Sequence, residues 1–448
     1  MASTIVSRTQ SGSESAAGRR TWTFSCWFKR TKLSSSQELF GSDANGARSN
    51  NYNIIDFNSS DQLDFSGYES GTTFRKITNR KFRDTNAWYH LVIAFDTTQS
   101  TADDRIKIYI NGVQETSFGT STNPAQDHQS KFFSSGKVHA FGRSSQTFDG
   151  VISHCHATEG TAYAPTVFGS TDATTGEWKI NTNPSVSYGT NGFFLFKNDN
   201  AVTNQAGNSS GNFTVTAGTL SKTEDNPSNV FAVINNNTIP SEQVNIGYGA
   251  TAKTNTPTTN QWRTFYGTIG ASSGKYYFEM KVNNIENTDP NNFWVGIVDA
   301  DQMYDGTGLH RAFQQSRGYC YHAQTGSQGN NNSSSSYGNS WTTNDIIGVA
   351  MDLDNSKLYF SKNGTWQNSG VPTSGSTGTG AISIASGYTY LPTFSQYYGN
   401  EWFSLNFGNG SFQGTTVASA GTNASGNGIF EYDCPTGYTA LSTKGLNL

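Results

Sequence analysis

The chain has 448 residues, of which only 14% are charged, and carries a formal net charge of -4. Residues 1–150 hold 17 Lys and Arg against 14 Asp and Glu, and the remainder is acidic, so neither part is basic enough for nucleic-acid binding. No apolar run approaches the roughly 18 residues of a membrane span, and Met1–Arg20 lacks the apolar centre of a signal peptide. Synthesis in a cytosol without membrane insertion is therefore expected.

The length predicts two or three domains. Aromatics at 13% are enough to build cores, and 47 Gly beside many Asn, Ser and Thr suit turn-rich all-β domains. The four cysteines, Cys26, Cys155, Cys320 and Cys434, are too few and too scattered for a disulfide framework or a zinc site.

Residues 1–20 are small and polar, and read as a flexible arm or a short docking segment. From Thr21 a strand begins, with Trp22, Phe24, Cys26 and Phe28 on one face, so Cys26 reads as a small core residue. Trp88–Asp96 is a second strand. Arg105–Ile110 is a third, with Ile106, Ile108 and Ile110 inward before an Asn111-Gly112 turn. Phe148–Ile152 begins another. In His154-Cys155-His156, alternation places both histidines on one face with Ile152 and the cysteine on the other. Two ligands do not make a structural zinc site, and half-exposed strand histidines are the simpler reading.

The Trp-rich first strand, the Trp88-Tyr89-His90 strand, the Ile-Tyr-Ile-Asn-Gly hairpin and the Phe148–Ile152 strand together resemble a laminin G-like, concanavalin A-like jelly roll. Glu159–Gly169, Thr174–Trp178, Ser187–Leu195 and the ending Pro435–Leu446 resemble a family of virion proteins of tailed phages of marine bacteria. The expected organisation is an N-terminal arm (1–20), a jelly roll (21–170), an extension and connector (171–240), a second sandwich (241–412) and a C-terminal tail (413–448). In the connector, Phe231, Val233 and Ile234 are the residues able to pin it to a sandwich.

The second sandwich centres on Asn344–Trp366. Ile347, Val349, Met351 and Leu353 form one apolar face, a turn follows at Asp354-Asn355-Ser356, and Asn363-Gly364 supplies a tight hairpin. With Gly274–Val282, Trp294–Ile297, Leu391–Phe394 and Phe403–Gly408, this run resembles a SPRY domain over roughly Trp262 to Phe412. Such a β-sandwich binds partners through its loops. Val244–Gly249 is expected to add a strand, Asn330–Ser336 to be a polar loop, and Tyr438–Leu446 to dock on something.

Chemistry is sparse. Glycan hydrolysis needs two carboxylates flanking the scissile bond. The single Glu-x-Asp, Glu431-Tyr432-Asp433, lies in the tail, while Asp352 and Asp354 read as turn caps. Asp299-Ala300-Asp301 with Asp305 misses the spacing of a calcium loop. The laminin G resemblance leaves room for a calcium ion in the first domain but assigns it no ligands. No cofactor and no enzymatic activity are expected.

Aromatic residues on loops and strand edges suit ligand binding better. Tyr304, Tyr337, Trp341, Trp366, Tyr397 and Tyr398 are the candidate contact residues. The resemblances imply a tail fibre or head decoration that touches other virion proteins and a host-surface glycan or protein. They also imply a homo-oligomer, a trimer if it is a fibre. A cement protein and a polysaccharide-degrading enzyme are the alternatives.

Overall fold

The computed structural model describes residues 4–43, 51–143, 145–197, 201–235, 244, 246–253, 260–285, 293–303, 311–418 and 426–447. It divides into two compact units, Met1–Ser221 and Lys222–Leu448. No helix among the described residues is long and apolar enough to cross a membrane.

The first unit opens with β1 (Ile5–Thr9), β2 (Thr21–Arg30), β3 (Gln37–Ser42), β4 (Asn51–Phe57), β5 (Gln62–Glu69) and β6 (Thr72–Lys81). Next come β7 (Tyr89–Asp96), β8 (Ile106–Ile110), β9 (Val113–Gln114), β10 (Phe118–Thr122), β11 (Val138–Phe141) and β12 (Gly150–Glu159). Four short strands finish it: β13 (Gly169–Thr171), β14 (Trp178–Ile180), β15 (Phe193–Leu195) and β16 (Thr214–Ala217). One sheet runs β10-β6-β5-β4-β3-β11-β1-β16 and the other β15-β12-β2-β7-β8-β9.

Between the sheets lie the side chains that alternation points inward. Trp22, Phe24, Cys26 and Phe28 of β2 and the three isoleucines of β8 meet Phe40, Ile55, Phe57 and Phe65 from the opposite sheet. Trp22 stacks on Phe95 with ring centroids 4.7 Å apart. Cys26 is a core residue, as alternation predicts.

Three expectations are corrected here. Residues 5–9 are no arm: β1 is paired on both sides, by β11 and by the edge strand β16. The sandwich does not end at residue 170, because β15 pairs with β12 and β16 with β1. Strands of three or four residues show too few alternations to stand out in sequence, and β1 (Ile-Val-Ser-Arg-Thr) lacks the apolar alternation that reveals β8. Finally, a β-bulge between Ser153 and His156 breaks the alternation of β12. Ile152 and Cys155 therefore both face the core, and His156 faces away from it.

In the second unit come β17 (Ile246–Gly247), β18 (Ala252–Lys253), β19 (Arg263–Tyr266), β20 (Lys275–Asn284), β21 (Phe293–Asp299) and β22 (Gly318–His322). They are followed by β23 (Ser327–Asn330), β24 (Ser333–Ser336), β25 (Ile346–Asp352), β26 (Lys357–Lys362), β27 (Thr365–Trp366) and β28 (Ile382–Ser383). The last are β29 (Tyr390–Gln396), β30 (Trp402–Asn406), β31 (Ser411–Phe412), β32 (Thr415–Thr416) and β33 (Thr439–Ala440). One sheet runs β17-β18-β30-β20-β25-β26-β27, with β28 beside β26 and β33 beside β20, and the other runs β19-β29-β21-β22-β23-β24.

Ile347, Val349, Met351, Leu353, Leu358 and Phe360 all enter the core between these sheets. Asn363 and Gly364 have φ of 49° and 79°, the positive pair that a two-residue hairpin turn requires. Asp352 caps its turn as expected, accepting the N–H of Asn355, whereas Asp354 reaches out of the turn to accept the N–H of Gly274, 80 residues away.

Residues 225–234, expected as connector, belong to this unit, with Val233 and Ile234 in its core. The predicted polar loop 330–336 is in fact the turn and outer strand of a hairpin, built on Asn331 and Asn332 at φ 50° and 56°. Its serines stay exposed because β24 is an edge strand. The C-terminal tail docks. Phe430, Cys434, Tyr438 and Ala440 pack on Phe231, Tyr277, Ala350 and Tyr359, and β33 pairs in parallel with β20.

Candidate functional site

In the first unit, the outer face of the β2–β7–β12 sheet carries Ser25, Trp27, His90 and His156. The segment after β12 folds over it. Trp178 donates its indole N–H to His90 Nδ1 at 2.9 Å, and His90 Nε2 lies 2.8 Å from Ser25 Oγ. Burial pushes the His90 imidazole down to about 3, so the ring is neutral. Indole is a donor only, so Nδ1 accepts and the ring proton sits on Nε2, donating to Ser25. A histidine in that tautomer cannot take the serine proton, and this pair is no nucleophile.

His156 is likewise held well below its ordinary range by burial, stacked on Phe194 at 4.0 Å and bonded to the Tyr188 hydroxyl at 2.8 Å. The face is a second core. Trp178→Ala should strip its cover, leave His90 Nδ1 without a donor and cost about 2–3 kcal/mol of unfolding free energy. Urea unfolding followed by circular dichroism measures this.

On the opposite sheet, register aligns Glu38 of β3, Asp56 of β4 and Asp64 of β5 in one row, all buried. Arg75 grips Asp64 with two nitrogens, at 2.5 Å from Nη2 and 3.1 Å from Nε, and Arg143 lies 3.3 Å from Glu38. Along the same face Tyr52 stacks on Tyr68 at 5.4 Å. Sequence could not disclose this row, because its acids come from three strands and only register unites them. The acid of a glycan-cleaving pair must carry a proton, whereas two of these three carboxyls pair with guanidinium groups.

The second unit has an aromatic platform on the outer face of the β19–β29–β21–β22 sheet. Trp294 of β21 is sandwiched between Phe313 at 4.1 Å and His322 at 4.3 Å. The Arg311 guanidinium lies 4.5 Å above the Trp262 ring and 5.9 Å from Phe313, and Trp262 contacts Tyr397 at 5.6 Å. Tyr397 and Tyr398 meet edge to face at 5.1 Å.

Their loop is fixed from below. Glu401 accepts both tyrosine N–H groups, at 3.2 and 3.0 Å, and buried Lys253 donates to the carbonyls of Gly399 and Glu401. Trp262, Trp294 and Phe313 are buried, while Arg311, Tyr397 and Tyr398 reach the surface. A rigid, partly exposed set of rings with one cation suits stacking on a planar or cyclic ligand group.

Of the six predicted contact residues, this platform contains Tyr397 and Tyr398. Tyr337 and Trp341 are corrected: both are core, at 6% and 2% exposure. They lie on the connection from β24 to β25 and turn into the core, where Trp341 packs against Phe293 at 5.5 Å. Trp366 is half-buried on Tyr277 and Tyr359, in the cluster the tail covers. Tyr304 lies outside the described residues.

Trp262, Trp294, Arg311 and Phe313 were not anticipated, since nothing in their local pattern separates an outward ring from an inward one. Asp299 is engaged by Arg317 at 2.5 Å, and Asp305 lies outside the described residues. Among the described residues no three His, Cys, Asp or Glu are grouped to hold a metal ion.

Residues 7–159 match the concanavalin A-like lectin/glucanases superfamily, and residues 275–409 match the SPRY domain. No curated protein matches the chain. Similar solved structures include the SPRY domain of human HERC1, at 16% identity and a TM-score of 0.30, covering 38% of this chain and 96% of that one. Another is the stonustoxin structure, at 14% identity and a TM-score of 0.28, covering 39% and 27% respectively. The chain is an all-β protein of two β-sandwich domains, a laminin G/concanavalin A-like domain followed by a SPRY domain.

Proposed function

We propose that this is a non-enzymatic recognition protein on the surface of a tailed-phage virion, a tail fibre or head decoration. On this reading it contacts a host-surface glycan or protein through the platform of its SPRY domain. Both domain types point to binding roles. The observation that carries the reading is the preorganised, partly exposed Trp262–Arg311–Tyr397–Tyr398 set, held in place by Glu401 and Lys253. Its place on a particle rests on the resemblance of Glu159–Leu195 and Pro435–Leu446 to virion proteins. A homotrimer fits a fibre.

Replacing Arg311 and Tyr398 together by Ala should weaken adsorption of the labelled protein to host cells by roughly tenfold or more, with folding retained. Adsorption unchanged in that variant rejects the platform. Electron cryo-microscopy of the intact particle tests the location: a projecting SPRY domain supports attachment, both domains buried against other subunits indicate a cement protein, and absence from the particle rejects the virion reading.

The second reading is a polysaccharide-cleaving enzyme using the Glu38–Asp56–Asp64 row, and the guanidinium partners of Glu38 and Asp64 weigh against it. Release of reducing ends from host capsule, abolished by Asp56→Asn, would establish it over the first.

A further inference from the structure

Cys26 and Cys155 stand 129 positions apart in sequence and meet inside the first unit. Ser153 of β12 pairs with Trp27 and His156 pairs with Ser25. The two bulged residues His154 and Cys155 are therefore opposed by the single residue Cys26. His154 adopts φ 45° and its N–H bonds to the carbonyl of Phe196, which holds the bulge in shape. The bulge turns Cys155 to the core, on the side that Cys26 already faces. Both thiols are free, both have 0% exposure, and both belong to the one core cluster of the first unit. Neighbouring antiparallel strands lie about 4.7–4.9 Å apart, inside the roughly 4.4–6.8 Å Cα separation of disulfides. Without the bulge, strict alternation would turn Cys155 away and no pair would exist.

We propose that Cys26 and Cys155 form an oxidation-dependent cross-strand disulfide that clasps β2 to β12. The oxidant is a small-molecule disulfide such as oxidised glutathione. One cysteine, as thiolate, attacks it, forming a mixed disulfide and releasing one glutathione thiol. The second cysteine then attacks the mixed disulfide, releasing the other. Two protein thiols are oxidised, one glutathione disulfide is reduced, and the two protein hydrogens leave with the glutathione thiols. Burial raises the Cys155 thiol well above its ordinary range, so the reaction in the closed fold is slow and proceeds readily when the strands part or first assemble. The inference does not depend on the function proposed above.

The test is to refold the full chain in a reduced and oxidised glutathione mixture, alkylate remaining thiols and map the peptides. A peptide linking Cys26 to Cys155, with Cys320 and Cys434 alkylated, is the expected result. The linked chain should melt roughly 5–10 °C higher than the same sample treated with reductant, because the bond closes a long loop. Cys26→Ala should remove that dependence on reductant and leave Cys155 alkylated. Finding Cys26 and Cys155 both alkylated in the refolded wild-type chain, or either joined to Cys320 or Cys434, overturns the proposal.

Discussion

Glu279→Ala should destabilise the SPRY domain by about 3–5 kcal/mol and free its C-terminal segment. The Glu279 carboxylate has 0% exposure and accepts from four donors. The N–H groups of Glu431 and Tyr432 reach it at 2.9 and 2.8 Å, Asn406 Nδ2 at 3.0 Å and the Tyr277 hydroxyl at 3.2 Å. Two of these donors belong to the tail, so one side chain of β20 ties residues 428–445 to the sheet. Alanine takes the acceptor from the buried Tyr277 hydroxyl and Asn406 amide and from the part-buried N–H groups of Glu431 and Tyr432. Urea unfolding gives the energy, and limited proteolysis shows new cleavage near residue 430. A loss below 1 kcal/mol with an intact tail would refute the role.

Acidity should act through the same residue. Burial pushes the Glu279 carboxyl up to about 7, against the four donors that hold it down. A carboxyl raised in the folded state contributes stability that is complete below its unfolded value and lost as pH rises through the folded one. The SPRY domain should therefore lose up to roughly 3 kcal/mol between about pH 4.5 and 7.

Lys253 works in the opposite sense. Burial pushes its ammonium down to about 7, so its contribution is complete above the unfolded value near 10.5 and is lost as pH falls through 7. Stability measured by urea unfolding across this range should pass through a minimum near neutrality. Glu279→Gln should flatten the acid side of that curve and leave the alkaline side unchanged.

Arg30→Leu should cost the first domain about 3–5 kcal/mol. Arg30 has 0% exposure. It donates to Asp61 Oδ1 at 3.2 Å and to the Phe82 carbonyl at 2.9 Å, and lies 4.5 Å from the Phe57 ring. Leucine replaces the packing but leaves Asp61, also buried, with Arg83 and the Ser34 N–H alone. The harm comes mainly from an under-compensated buried charge. Adding Asp61→Asn to Arg30→Leu should therefore recover part of the loss, and a double-mutant cycle in urea measures it. Equal additivity of the two changes would show that the pair is not coupled.

Alternation and turn chemistry made much of this molecule legible beforehand. The inward faces of β2, β8 and β25, the positive-φ turn at Asn363-Gly364 and the cap at Asp352 depend on neighbours a few residues away, and such neighbours are visible in sequence. The platform was legible only in part, through Tyr397 and Tyr398. Trp262, Trp294 and Arg311 converge from separate segments, and a period of two says which side of a strand a ring occupies without saying what covers that side.

The sequence by itself therefore determined that the chain is all-β, that it divides into two sandwiches, and which faces of the long strands are apolar. Tertiary structure alone decided the rest. It placed Ile5–Thr9 within a sheet and closed the first sandwich with Phe193–Leu195 and Thr214–Ala217. It buried Tyr337 and Trp341, aligned Glu38, Asp56 and Asp64, and fastened the tail to Glu279. The physical reason is common to all of these. Hydrogen-bond register between distant strands, and the second layer packed on an outer sheet face, are non-local, and in these sheets most outer faces are covered too. An apolar or aromatic residue pointing outward from a strand is then as readily core as contact surface, and only the segment folded over it decides which.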